Sequence, residues 1–211
     1  MNGTGRLIGL VLLLGVASTP GIAQEFPEPL PPEPIPAVAA LQTPYPMSYA
    51  VVHDFAFGSL PDSAFSLVDA QDGTFKGMMS AGNFATFAVS TKRGEMYLGE
   101  TYYSRGTRGD RSDLISVYDM ATLDRLAEVE LPHKRAAMVV QKWGTAVTES
   151  GRFLLVNNFA PATSVSVVDL ETHSFVGEIQ TPGCTLVFPL KDHDFFMLCG
   201  DGALLKISLD D

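Results

Sequence analysis

The sequence is poor in the residues that usually carry chemistry. Its 211 residues include two cysteines, one tryptophan and four histidines. It contains no GxSxG elbow, no glycine-rich phosphate loop, no HExxH and no CxxCH, so the signatures of serine hydrolases, nucleotide sites, zinc proteases and attached haem are missing. His53, His133, His173 and His193 lie in separate segments and read as surface or turn residues rather than ligands or bases. Basic residues are also scarce: 14 Lys and Arg against 24 Asp and Glu give a net charge of −10, and the densest basic run is "LPHKR". Nucleic acid, whose binding rests on neutralising phosphates, is therefore not an expected partner. Beyond the first residues no apolar run approaches the roughly 18 needed to span a bilayer, so no membrane anchor is expected in the mature chain. Helical amphipathic periodicity is absent as well.

The start of the chain has the pattern of an address. Arg6 precedes an apolar run from Leu7 to Val16, and "STPGIAQ" supplies small residues suited to cleavage near Ala23. This predicts a cleavable secretory signal peptide over 1–23. Residues 24–46 are proline-dense, "FPEPLPPEPIPAVAALQTPYP", which predicts an extended arm without regular hydrogen bonding. A slack linker and an arm lying along a partner or along the body both fit. In an exported protein the default reading of Cys184 and Cys199 is one disulfide. Two free thiols are the alternative, and a metal site lacks a histidine at ligand spacing.

What the chain does have is repetition. "FSLVDAQDGTFKGMM", "ISVYDMATLDRLAEV" and "VSVVDLETHSFVGEI" begin at Phe65, Ile115 and Val165, with Ser66, Ser116 and Ser166 in register, and Asp69, Asp119 and Asp169 likewise, at a spacing of 50. Each copy is an apolar strand, a polar turn opened by the aspartate, and a second strand, a hairpin pattern. The carboxylates are expected to cap the turns rather than to form an acidic triad. Two more strand-like runs separate successive copies, such as "FATFAVS" and "EMYLGETYY". Four short strands per repeat predict an all-β fold, a β-propeller, with about three and a half four-stranded blades over 47–211. A closed propeller typically has four to eight blades, so the sequence is expected to be a piece of a longer propeller, the alternative being a half-length subunit whose open edges another half covers.

Two stretches stand out as possible binding surfaces. "ETYYSRGTRGDRSDLISVYD" interleaves Tyr103, Arg105, Arg108 and Arg111 with Asp110 and Asp113 in what reads as a loop between strands. Its charges either cancel on the surface or dock a partner, since Tyr and Arg are favoured at interfaces. In "VVHDFAFGSLPD", Phe55 and Phe57 alternate within an apparent strand, which would put both on one face, packed or facing a ligand.

"TYYSRGTRGDRSDLISVYD", "FAPATSVSVVDLE" and "GCTLVFPLKDHDFFMLCGDGALLKISL" resemble the heavy (large, alpha) subunit of periplasmic quinoprotein amine dehydrogenases, the methylamine and aromatic amine dehydrogenases. The resemblance runs through 47–211. It implies a seven-bladed propeller in a heterotetramer with a light subunit. That subunit holds tryptophan tryptophylquinone and the catalytic base, so the heavy chain itself would contain no cofactor and no catalytic residue. The oxidoreductase activity implied is conversion of primary amines to aldehyde and ammonia, with electron transport to a blue-copper protein. The family's disulfide falls on Cys184 and Cys199, and its channel phenylalanine falls best on Phe57, with Phe55 second. The sequence is about half a family heavy chain. An exported propeller acting purely as a binding scaffold is the alternative.

Overall fold

The computed structural model describes residues 40–132, 135–137 and 140–210. The predicted signal peptide, most of the proline-rich arm and His133 lie outside these residues. The repeats appear as fourteen strands in four antiparallel sheets, each built from strands in sequence order. The first sheet holds β1 (Tyr49–Asp54), β2 (Ser63–Asp69) and β3 (Thr74–Ala81). The second holds β4 (Asn83–Ser90), β5 (Glu95–Arg105), β6 (Arg108–Asp119) and β7 (Arg125–Leu131). The third holds β8 (Thr145–Val147), β9 (Phe153–Asn158), β10 (Ser164–Asp169) and β11 (Ser174–Gln180). The fourth holds β12 (Cys184–Pro189), β13 (Phe195–Cys199) and β14 (Leu204–Ile207).

The three repeat copies are the β2–β3, β6–β7 and β10–β11 hairpins, so each full sheet is one propeller blade. The count of 3, 4, 4 and 3 strands equals three and a half blades. The only helical turns among the described residues are short 3-10 segments at Leu60–Asp62 and Lys142–Gly144. No helix there is long and apolar enough to cross a membrane.

The period of two that makes strands also makes the core. On β5, Met96 and Leu98 point toward the first sheet and pack with Phe65, Met79 and Met120. Tyr97, between them, points to the third sheet and packs with Ile115, Leu154, Val156 and Val168. β9 repeats the device: Leu154 and Val156 face backward, while Leu155 joins Val165, Val187, Phe195 and Met197 against the fourth sheet. β9 and β10 are buried along their whole length because both faces are covered. Each fully buried large aliphatic side chain here contributes about 1.5–3 kcal/mol. The outward faces of the end sheets remain open. Val52, Phe75 and Met78 are exposed on the first, and Leu198 and Leu204 on the fourth.

The repeated aspartates cap their turns, as the sequence predicts. Oδ1 of Asp69 accepts the amide of Gln71 at 3.1 Å; that of Asp119 accepts Ala121 and Thr122 at 2.7 and 2.8 Å; that of Asp169 accepts Glu171 and Thr172 at 2.7 and 3.1 Å. Four residues after each aspartate the backbone is left-handed, at Gly73, Leu123 and His173, with φ of 74°, 60° and 48°. The end of the proline-rich stretch lies along the body. Leu41 donates its amide to the Ala121 carbonyl at 2.7 Å, and the Tyr45 hydroxyl donates to the Met120 carbonyl at 2.6 Å.

Candidate functional site

Antiparallel strands place the connection between the second and third strands of a blade at the same end as the connection into the next blade. This end therefore gathers Phe55 and Phe57, the β5–β6 tip, the described residues between β7 and β8, Phe159 and the disulfide. The capped turns are at the opposite end. Every candidate residue named from the sequence, apart from the inward-turned Arg111, belongs to this one end.

Phe55 and Phe57 are not in a strand. β1 stops at Asp54, whose carboxylate accepts the Ala56 amide at 2.9 Å. Ala56 then takes a left-handed φ of 44°, and Pro61 leads into the short 3-10 turn. That local turn overrides the alternation read from the sequence. The two rings instead form an edge-to-face pair 6.1 Å apart on a loop, Phe55 41% and Phe57 78% exposed. His53 anchors the loop's root: it stacks on Phe65 at 4.1 Å and shares a 3.0 Å hydrogen bond with Ser63. Its burial lowers its pKa and favours the neutral ring.

The Tyr–Arg stretch is not a loop either. β5 and β6 pair as far as Arg105↔Arg108, with a register shift between Tyr103 and Arg105, so the connection shrinks to Gly106 and Thr107. The polar alternation on both faces conceals this in the sequence. Arg105 and Arg108 are exposed at the tip, and neither has a carboxylate partner among the described residues. Tyr103 is half-buried beside a cavity of about 160 Å³ shared with Phe84 and Thr107. Arg111 turns inward. Its Nε and Nη2 donate to Asp113 at 2.8 and 2.9 Å, and Nη2 also donates to the Arg135 carbonyl at 2.8 Å.

Arg135 itself, one letter in "LPHKR", is the residue that sequence reading missed. Its side chain is fully buried against β4 and β5. It donates to the carbonyls of Asn83 (2.8 Å) and Phe84 (3.0 Å) and to the Thr101 hydroxyl (2.7 Å), with Asp113 at 3.9 Å. Burial pushes its pKa down to about 10, partly offset by Asp113. Nearby, Glu100 is buried and accepts from Gly82, Tyr102 and Ser116. Burial raises its pKa, and those hydrogen bonds work against the rise. Each of these groups is tied to backbone or to a neighbouring side chain. No group of three or more potential metal ligands occurs among the described residues.

Cys184 and Cys199 face each other in the β12–β13 register and are joined by a disulfide. This settles the alternatives left open by the sequence. Closing a 15-residue loop is worth about 3 kcal/mol in the chain-entropy model. Trp143, the only tryptophan, packs on Phe188 with ring centres 5.3 Å apart and has Lys142 over its face.

The blades described above fall within the match to a known family model. Residues 50–211 fit the methylamine dehydrogenase heavy chain. The chain belongs to this family. Similar relatives are the methylamine dehydrogenase heavy chains of Paracoccus versutus, 33% identical over 147 residues, and of Methylorubrum extorquens, 32% over 148 residues. The heavy chain of Methylobacillus flagellatus is 31% identical over 144 residues. These alignments cover 69%, 70% and 68% of this chain but 34%, 36% and 36% of the relatives. The matched part thus spans about a third of the length of a family heavy chain.

Proposed function

We propose that this chain forms part of the heavy subunit of a periplasmic amine dehydrogenase, exported by its signal peptide and assembled with a light subunit as a heterotetramer. The assembly oxidises primary amines, methylamine or larger, to aldehyde and ammonia and passes electrons to a blue-copper protein. The observation that carries this reading is the family match over 50–211.

Tryptophan tryptophylquinone, the family's cofactor, requires two crosslinked tryptophans. This chain has one, Trp143, already packed on Phe188. The group does not fit these residues, and this reading assigns it, with the chemical step, to the light subunit. The work of this chain's residues is to shape and position. The exposed Phe55–Phe57 pair supplies an apolar, aromatic wall for the organic part of an amine at the channel mouth. The Arg105–Arg108 tip, together with Tyr103 beside it, supplies a partner contact at the same end. Arg111, tied to Asp113 and to the Arg135 carbonyl, stiffens the hairpin that carries the tip.

The test is amine-dependent dye reduction by the heavy and light subunits, separately and together. Activity that requires both, with the quinone confined to the light subunit, supports the reading. Assembly without any amine-dependent reduction would leave an exported propeller scaffold instead.

A further inference from the structure

A second cavity, of about 270 Å³, opens where the inner strands of the second, third and fourth blades converge. Thr86 and Asn157 form its floor, with Thr185 beside them, and Ala136, Phe159 and Leu186 form its rim. No charged side chain is present among the described lining residues. Its volume lies below the roughly 300–1,000 Å³ of drug-sized ligand sites, which limits an occupant to one ring or a short chain.

Three observations mark it as built for a ligand. Asn157 is 3% exposed, and its amide donates to the Thr185 hydroxyl at 3.1 Å while Oδ1 has no partner. Turning the amide over would only exchange the unpartnered oxygen for an unpartnered nitrogen. A buried polar group left unpaired costs about 1–3 kcal/mol. The Thr185 hydroxyl, accepting from Asn157, keeps its own proton to give. Both β4 and β12 also break register where they border the cavity, between Asn83 and Thr86 and between Thr185 and Phe188. Each break places a non-glycine residue in the left-handed region, Phe84 at φ 47° and Leu186 at φ 61°. Bulges of this kind re-aim side chains next to sites.

We infer that this cavity binds a small uncharged molecule with a hydrogen-bonding head of both donor and acceptor character, a primary carboxamide being the best match, and an apolar body. A carboxamide offers N–H to Asn157 Oδ1 and C=O to the Thr185 proton, and it satisfies Asn157 in either orientation. Phe159 and Leu186 receive the body. A carboxylate or ammonium of the same shape meets no described counter-ion and would lose its hydration unpaired. The site is separate from the Phe55–Phe57 loop and does not depend on the proposed amine chemistry.

The experiment is calorimetric or saturation-transfer titration of the full chain with benzamide, benzoate and benzylammonium at pH 7. Benzamide is expected to bind saturably, with the two charged probes weaker by about ten-fold or more. Asn157→Leu should remove the head contact, and Ala136→Leu should fill the body's space without touching a polar group. Each is expected to weaken benzamide by about ten-fold or more. Should Asn157→Leu fail to fold, Ala136→Leu carries the decision. Absence of saturable benzamide binding, equal binding of a charged probe, or indifference to Ala136→Leu would each overturn the assignment.

Discussion

Arg111 lies across the Asp113 carboxylate in a two-pronged ion pair, Nε to Oδ2 at 2.8 Å and Nη2 to Oδ1 at 2.9 Å. Asp113 is 0% exposed and also accepts from Thr101, which in turn accepts from the buried Arg135. One carboxylate therefore compensates two guanidinium groups. Asp113→Asn should cost about 3–5 kcal/mol, the usual penalty for removing one partner of a buried pair. Arg105→Ala, at the exposed tip, should stay within about 0.5 kcal/mol. Urea unfolding monitored by fluorescence distinguishes them; equal small losses would mean that Arg135 is satisfied by its carbonyl partners alone.

Glu100 sets a pH dependence of defined sign. Its folded pKa is raised by burial above the ordinary 4.5. The stability that it adds is complete below pH 4.5 and is lost as the pH rises through the folded value, because the unfolded chain releases the proton first. Glu100→Gln keeps an acceptor for Gly82 and Tyr102 and removes the charge. The variant's stability relative to the parent should therefore improve between pH 4.5 and pH 7. A difference that is flat across this range would show that Glu100 carries no such linkage.

The turn after each repeated aspartate separates conformational from contact effects. Gly73 has φ of 74° and open space where a Cβ would stand. Gly73→Ala should thus lower stability by about 1 kcal/mol through backbone strain alone. Asp119→Ala, which removes the acceptor of two amides within reach of water, should cost about 0.5–1.5 kcal/mol. Thermal unfolding of the two variants provides the check, and a neutral Gly73→Ala would mean that the turn relaxes.

Phe57 projects from its loop, so Phe57→Ala should change stability by no more than about 0.5 kcal/mol. In the assembled enzyme the same change should shift the ratio of kcat/KM between methylamine and an aralkyl amine by roughly ten-fold, the scale of one apolar contact. Phe55→Ala should act in the same direction but more weakly. Unaltered preference across short and aromatic amines would remove both rings from the substrate path.

Local signals were legible in the sequence, and distant ones were not. The aspartate turns follow from residues two and three positions away, and the strands from alternation, which is why fifty-residue spacing translated directly into blades. Phe55 and Phe57 were misplaced because one Asx turn at Asp54 ends a strand whose apolar pattern continues past it. Arg105 to Arg111 resembled a loop because neither face of the long hairpin is apolar there. Arg135 joins Asn83, Thr101 and Asp113 across separations of 52, 34 and 22 positions, and no short window contains that relation.

The most direct test of the central claim is the intact mass of whatever co-purifies with this chain from its native periplasm. The account predicts a heavy chain near the length of its family relatives together with a small subunit carrying a crosslinked tryptophan pair. A chain that purifies alone, with no quinone-bearing partner and no amine-dependent reduction, would contradict it.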